Sequence, residues 1–362
     1  MTKNAYVHIP FCRRKCNYCS FVSYPKLEVK NDYVATLLQE IKARYQKEKL
    51  NTLYIGGGTP SLLEAEQVGK IVSSFNFEND AEITIEGNPE HLSLDWLAKI
   101  KETGINRLSL GAQAFDDKIL KIIGRYHSVK DVFSAVKNAR AAGFKNINLD
   151  LIYGLPTQEM SDFSASLITA CEIGVEHISS YGLKIEEGSA FFEKMPEKLP
   201  NEDAQADMYK KLCEITEKYG FYHYEVSNFA KQGFESKHNL NYWKANTYYG
   251  FGCAACGYEN DTRYSHEKAI DGYLKNPTLL TEKVVLSEKD KLEEKIFLGL
   301  RKSDGINVKE INEQFGIDFE QKYGKILQKY EKYFVKKSDS YSFSNDGFLI
   351  SNYILSDFID EC

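Results

Sequence analysis

The sequence predicts an α/β protein, an open and incomplete barrel of six β/α units followed by a small α+β domain. Three observations carry that expectation. Short β-type runs recur through the first half of the chain, the stretches between them hold apolar residues at helical spacing, and from about residue 285 the texture changes to Lys- and Glu-rich helices followed by two β-like runs. With 362 residues, 43% of them apolar, the chain is long enough for more than one core.

The runs are NAYVHI, NTLYIG, AEITIEG, NRLSLG, NINLDLIYG and HISSYGL. Parallel neighbours need right-handed crossovers, so six strands alternating with helices imply a parallel sheet with helices outside. In the first helix Asn31 and Asp32 are candidate caps, and Val34, Leu37, Leu38, Ile41 and Tyr45 fall on one face. Val129, Val132, Phe133 and Val136 repeat the pattern, and Gly143 can end that helix in the left-handed conformation. A closed eight-unit barrel needs two more units. A seventh run, YHYEV, follows the helix of Met208, Leu212, Ile215 and Tyr219, but the alternation then dissolves near 231 to 260, so the barrel is expected to stay open. The last stretch, YFVKKSDSYSFSNDGFLIS, reads as two β-like runs around the turn signals Asn345, Asp346 and Gly347. Helices followed by a hairpin suggest a winged-helix-like domain. The expected division is a partial barrel over 1–230, a connector over 231–284 and an accessory domain over 285–362.

Charge excludes one class of partner. The chain carries a net charge of -6 with both signs interspersed, and from Ser287 onward 12 Lys and Arg face 15 Asp and Glu. The basic footprint that nucleic acid requires is missing. The N-terminus lacks an apolar signal core, and no uncharged apolar run approaches about 18 residues, so no transmembrane segment is expected. A cytoplasmic protein is the expectation. Eight cysteines are too sparse for a disulfide scaffold, and clustered thiols in a reducing compartment point to a metal.

Three of those cysteines stand in PFCRRKCNYCSF, spaced Cys12-x3-Cys16-x2-Cys19, with Ser20 and Phe21 where a fourth thiolate could have followed. Thiolate is the ligand of iron-sulfur clusters, and one short loop can wrap three corners of a cube while leaving the fourth iron open to an amino group and a carboxylate. Zinc completed by His8 or by Cys253 and Cys256, or unligated thiols, are the alternatives. Structural zinc usually uses paired C-x2-C units, which disfavours the first of them.

A second cluster of signals lies at the ends of the strands. LYIGGGTPSLL puts Gly56, Gly57, Gly58 and Thr59 at the end of the second run, where absent Cβ atoms let a ligand approach the backbone. It has neither the Gly-Lys-Ser/Thr of a phosphate loop nor a dinucleotide fingerprint. Glu86 in TIEGNPE, Gln113 in SLGAQAF and Asp150 in NLDLIYGLP fall at or near the ends of their runs, the face where barrels of this kind place their sites. Carboxylates and an amide there can hold ligand hydroxyls and balance a positive charge.

With these pieces assembled, the chain resembles the branch of the radical S-adenosylmethionine (SAM) superfamily that contains anaerobic coproporphyrinogen III oxidase and the HemW haem chaperones. The resemblance runs nearly end to end, through YVHIPFCRRKCNYCSF, GGGTPSLL, IEGNPE, RLSLGAQAF, IIGRYH, NLDLIYGLPTQ, LPNEDAQADMY, YEVSNFA and HNLNYW. It implies an incomplete (β/α)6 TIM-like barrel with a C-terminal accessory domain. It implies a 4Fe-4S cluster on Cys12, Cys16 and Cys19, and a SAM site lined by Tyr6, Gly57, Gly58, Thr59 and Glu86. Tyr18, Gln113, Arg125 and Asp150 match positions that contact SAM or a second SAM in the oxidase branch.

Three features favour the chaperones. The oxidase branch adds a cysteine at the position of Phe21 and carries an N-terminal extension, whereas eleven residues precede Cys12 here. HNLNYW matches a His-Asn-x-x-Tyr-Trp motif that the chaperones associate with haem: His238 would be an axial ligand, and Tyr242 and Trp243 flat faces for the porphyrin. The other reading of that motif is aromatic packing around a hydrogen-bonded histidine. In GFGCAACGY, Cys256 stands where many relatives carry a histidine, so a thiolate or His266 is a candidate substitute. The implied partners are haem and a haem-acceptor protein, which can be a membrane respiratory enzyme, and the resemblance admits a homodimer. The alternative is an oxygen-independent coproporphyrinogen III oxidase working through a 5'-deoxyadenosyl radical.

Overall fold

The structure, a computed structural model, describes residues 2–360. Six parallel strands form as expected: β1 (Asn4–Ile9), β2 (Lys49–Gly57), β3 (Asn76–Gly87), β4 (Arg107–Gln113), β5 (Asn146–Tyr153) and β6 (His177–Gly182). The seventh run does not extend the parallel series. It becomes β7 (Tyr222–Glu225), a hairpin partner of β8 (Asn228–Ala230), which lies antiparallel against β6. At the other edge β9 (Tyr249–Phe251), from the region where the alternation dissolves, pairs parallel with β1.

The strands read polar inside and apolar outside. Asn4, Tyr6 and His8, then Thr52 and Tyr54, Glu82, Thr84 and Glu86, Arg107 and Ser109, Asn148 and Asp150, and His177 and Ser179 occupy one alternate set, and most of them hydrogen-bond or stack inside the barrel. The other set, including Val7, Leu53, Ile83, Leu108, Leu149 and Ile178, is buried against the surrounding helices. A one-residue slip would exchange the two faces, so this alternation fixes the register.

The first helix, Lys30–Arg44, buries Val34, Leu37 and Ile41 as its spacing predicts. Its N-cap position is Val29 without a side-chain cap, so Asn31 and Asp32 sit inside the first turn and do not cap it. The helix Val129–Ala141 is capped by Ser128, and Gly143 follows it at φ 88°. Phe133 on that helix is exposed.

The connector contributes the short helix Lys237–Trp243 and a three-stranded antiparallel sheet of β10 (Cys256–Glu259), β11 (Thr262–His266) and β12 (Leu280–Val285), which the sequence does not announce. The C-terminal region runs helix Glu288–Gly299, β13 (Ile306–Asn307), helices Val308–Phe315 and Phe319–Lys329, then β14 (Phe334–Lys337) and β15 (Ser340–Phe343). That helix–strand–helix–helix–hairpin order is the winged-helix pattern. Its hairpin turns at Ser338 and Asp339, with Ser338 at φ 50°, and not at Asn345 to Gly347. Those residues begin a helix because the Ser344 side chain accepts from the Gly347 amide. Cys362 lies outside the described residues.

Candidate functional site

At the C-terminal ends of the parallel strands lies a cavity of about 360 Å³, lined by Cys12, Cys16, Cys19, Gly57, Gly58, Thr59, Glu86 and Asp150 among others. The cysteine loop leaves β1 and returns to it: the Cys12 amide donates to Tyr24 O at 3.1 Å and the Tyr24 amide to Pro10 O at 2.7 Å. The Asn17 amide donates to Ile123 O at 3.0 Å, tying the loop across the cavity. All three thiols are free and half-buried. Cys12 Sγ lies 3.4 Å from Thr59 Oγ1, and Arg125 Nη1 donates to Cys16 Sγ at 3.7 Å.

This donor set fits a cuboidal cluster. Cys12, Cys16 and Cys19 all line the one cavity from a single short loop, and thiolates so placed are the donors that an iron-sulfur cluster takes. The other zinc donors are elsewhere. His8 lodges its ring between Tyr6 Oη and Val22 O, at 2.8 and 3.0 Å. Cys253 is buried with Sγ donating to Lys268 O at 3.1 Å, and Cys256 is exposed on β10.

The glycine cradle leaves no room for side chains. A Cβ on Gly58 would stand 2.6 Å from Phe11 O, and Gly57 holds φ 115° with a Cβ site 2.7 Å from the His8 ring. Close packing against His8 and Phe11 therefore requires glycine at both positions, and Gly57 and Gly58 still line the cavity, where a ligand can approach their backbone. Glu86 Oε2 accepts from the Gly57 amide at 3.0 Å and Oε1 from Tyr54 Oη at 2.7 Å. Burial pushes the Glu86 carboxyl up to about 7, and burial likewise raises Asp150. A cationic ligand beside them would restore both as anions, which is the electrostatics a sulfonium needs.

Gln113 ends β4 in the left-handed region, φ 65°, at a bulge in its pairing with β5. Such strain in a non-glycine residue turns its side chain from the ladder into the cavity. Arg125 is anchored by Asn88 Oδ1 and Gly111 O, each at 2.8 Å.

Of the residues expected at the SAM site, Tyr18, Gly57, Gly58, Thr59, Glu86, Gln113, Arg125 and Asp150 all line this one cavity. Tyr6 does not. It stacks behind Tyr54, ring centroids 6.3 Å apart, one layer from the wall. The expected haem residues are not at the cavity either. His238 is 1% exposed in the barrel floor, with Nδ1 2.7 Å from Thr52 Oγ1 and Nε2 2.8 Å from Tyr242 Oη. Burial, then the charge of Arg107, lowers its pKa to about 3. Trp243 Nε1 is buried and has no hydrogen-bond partner among the described residues. His266 is fully buried with Nε2 2.8 Å from Glu40 Oε1.

Sequence reasoning missed Tyr54, Arg107, Ser179 and Tyr181 on the cavity wall and Arg13, Arg14 and Tyr126 at its mouth. The inward alternation would have found Tyr54 and Arg107, which share their strands with Gly56 and Gln113, whereas no residue of β6 had been chosen. Arg14 lies over the Tyr126 ring at 4.4 Å, a pair visible only once the loops are folded.

Comparison with known proteins follows the same outline. The family model described as the radical SAM superfamily matches residues 6–168, and that described as the HemN C-terminal domain matches residues 286–341. The heme chaperone HemW of Lactococcus lactis subsp. lactis (strain IL1403) is 37% identical over 98% of this chain and 97% of its own length. Heme chaperone HemW of Bacillus subtilis (strain 168) is 37% identical over 99% of this chain and 100% of its own. That of Escherichia coli (strain K12) is 38% identical over 70% of this chain and 69% of its own. Among solved structures, coproporphyrinogen III oxidase (HemN) from Escherichia coli, a radical SAM enzyme, superposes with a TM-score of 0.88 at 23% identity, covering 100% of this chain and 91% of that one. At that identity the likeness is one of fold.

Proposed function

The chain belongs to the HemW family of the radical SAM superfamily, whose membership implies a 4Fe-4S cluster and SAM, and from that premise we propose that it is a haem chaperone. In this reading it holds cluster and SAM at the barrel rim, binds haem and passes it to an acceptor protein. The observation that carries the reading is the relationship, over 98% of this chain, to a protein named a heme chaperone. The site supports it, with three thiols and a bare glycine cradle on one cavity.

Cys12, Cys16 and Cys19 would hold the cluster. Gly57, Gly58 and Thr59 would present backbone groups to SAM, Glu86 and Asp150 would balance its sulfonium, and Gln113 and Arg125 would bond its polar ends. When bound, the reduced cluster and SAM supply one-electron chemistry. Phe21, 67% exposed at the cavity mouth, stands where the oxidase branch has its extra cysteine. As a haem ligand His238 would have to surrender two hydrogen bonds and leave a buried site.

The reading includes a cytoplasmic location and an acceptor such as a membrane respiratory enzyme. Among the described residues no helix is long and apolar enough to cross a membrane. A homodimer is the assembly to test, by light scattering. Haem titrated into anaerobically reconstituted protein should give a saturable Soret shift, and the bound haem should pass to an apo-acceptor. Protoporphyrinogen formed from coproporphyrinogen III, SAM and reductant would replace this reading with the oxidase one.

A further inference from the structure

We infer that the His238 motif is a positioning device for the SAM site and not the haem-iron ligand: His238, locked in the barrel floor, sets the Tyr54 ring that orients Glu86. The inference rests on the SAM reading of the cavity.

The protons decide what His238 can do. Thr52 has one hydroxyl hydrogen and donates it to Asn4 Oδ1 at 3.0 Å, while Asn4 Nδ2 donates to Asn241 Oδ1 at 2.7 Å. Thr52 Oγ1 must therefore accept from His238, which puts the ring hydrogen on Nδ1, a tautomer assigned from the network. Nε2 then accepts from Tyr242 Oη at 2.8 Å. Nε2 is the lone pair an iron ligand would offer, and a residue of the same motif already occupies it.

The backbone of the motif is as fully engaged. Glu82 accepts from the Lys237 amide at 3.1 Å and the His238 amide at 3.0 Å, and Ser236 caps the helix while donating to Glu82 Oε1 at 3.3 Å. Through Asn4, Thr52 and Glu82 the helix Lys237–Trp243 clamps β1, β2 and β3 to one another. These are the three strands whose far ends carry the cysteine loop, the glycine cradle and Glu86.

A column of rings connects the two ends. The His238 ring stacks on Tyr54, centroids 5.2 Å apart at 27°. Tyr54 Oη donates to Glu86 Oε1 at 2.7 Å, and Glu86 Oε2 accepts from Gly57, so one face of Tyr54 reads the floor while its hydroxyl aims the carboxylate. Tyr6 stacks on Tyr54 and donates to His8 Nδ1, whose Nε2 donates to Val22 O just beyond Cys19. His238 acts through Tyr54 and is a positioning residue.

The test compares SAM and haem binding by the same reconstituted proteins. Tyr54→Phe keeps the ring and removes only the hydroxyl, so SAM affinity should fall roughly tenfold, the loss of one hydrogen bond to a charged group. Its pH profile should also move up, because that hydrogen bond favours ionised Glu86. His238→Ala should weaken SAM several-fold, His238→Gln should recover part of it by keeping a donor for Thr52, and both should retain the haem Soret shift. Abolition of the Soret shift by His238→Ala with SAM affinity unchanged would overturn the inference, as would two variants that bind SAM like wild type. Should His238→Ala fail to fold, Tyr54→Phe and His238→Gln carry the same test. Wild-type protein that binds no SAM overturns the reading of the cavity itself, whereas wild-type binding with unaffected variants sinks the positioning role alone.

Discussion

The rim and the floor of this barrel are built from the same strands by opposite rules. At the rim, donors stand half-exposed on loops and strand ends: three free thiols, a bare backbone at Gly58 and a Glu86 carboxyl poised near neutrality. At the floor the polar side chains are buried, and most of them pair with one another. Asn4, Thr52, His238 and Tyr242 form one chain, and Ser109, Asn148, His177 and Tyr224 another, with Tyr224 Oη accepting from the Ser236 amide to join the motif helix. The rim keeps valences open for a ligand, and the floor closes them to hold three strands in register. Loss at the rim should therefore remove ligands, and loss at the floor should remove stability.

The largest effect expected is Cys12→Ser. A hydroxyl is a poor iron ligand, so the reconstituted variant should lack a stable cluster, seen as loss of iron, sulfide and charge-transfer absorbance. Its metal-free melting temperature should match that of metal-free wild type, since Cys12 Sγ makes only a 3.4 Å contact with Thr59. A large drop in that temperature would break the division between rim and floor.

Next comes Glu82→Ala. Glu82 is 6% exposed, accepts from three groups of the motif helix, and is 4.0 Å from Arg107 Nε, which has no hydrogen-bond partner among the described residues. Removing it leaves a buried guanidinium and three donors without their acceptor, a change that costs about 3–5 kcal/mol. Denaturant unfolding should show that loss, while the three cysteines still take up iron. Unchanged stability would mean the network does not hold the strands.

This contrast also explains what the sequence made legible. The six parallel strands and the rim came from local patterns: runs of β-type residues, the spacing of Cys12, Cys16 and Cys19, and Gly56 to Gly58 at the end of β2. The floor did not, because its partners are distant in the chain, Asn4 bonding a residue 237 positions away. The short runs that became β8 and β9 were missed for a related reason, since three residues give too little alternation to read and their pairing edges are set by tertiary packing. The family resemblance implies Tyr6 at the site, yet Tyr54 on the next strand stacks against it and lines the cavity in its place. At Asn345 to Gly347, turn chemistry and helix-start chemistry use the same residues, and Ser344 decided for the helix.

A third effect, smaller, follows from Glu86. Its pKa is raised to about 7, first by burial, and a sulfonium binds best to the anion. Below that point each bound SAM must displace a proton, so affinity should rise roughly tenfold per pH unit up to about 7 and then level off. Equilibrium dialysis across pH 5.5 to 8.5, in steps of about half a unit, gives the curve. A flat profile would mean that Glu86 is not the group facing the charge.

The smallest expected effect is that of Cys256→Ser, and it bears on where haem goes. The family resemblance made the Cys256 thiolate a candidate ligand, but partial burial and then Glu282 hold the thiol above the usual cysteine range. At neutral pH it stays protonated, the form that binds metal poorly. Nor can His266 step in, since Nε2 faces Glu40 and Nδ1 the Ala255 carbonyl at 3.1 Å. The substitution, exposed on β10, should change stability by less than about 0.5 kcal/mol and leave iron content and the haem titration as they were. A weakened Soret shift would instead put haem on the connector sheet, away from the rim, and the division drawn here would need a third region that binds ligand through side chains alone.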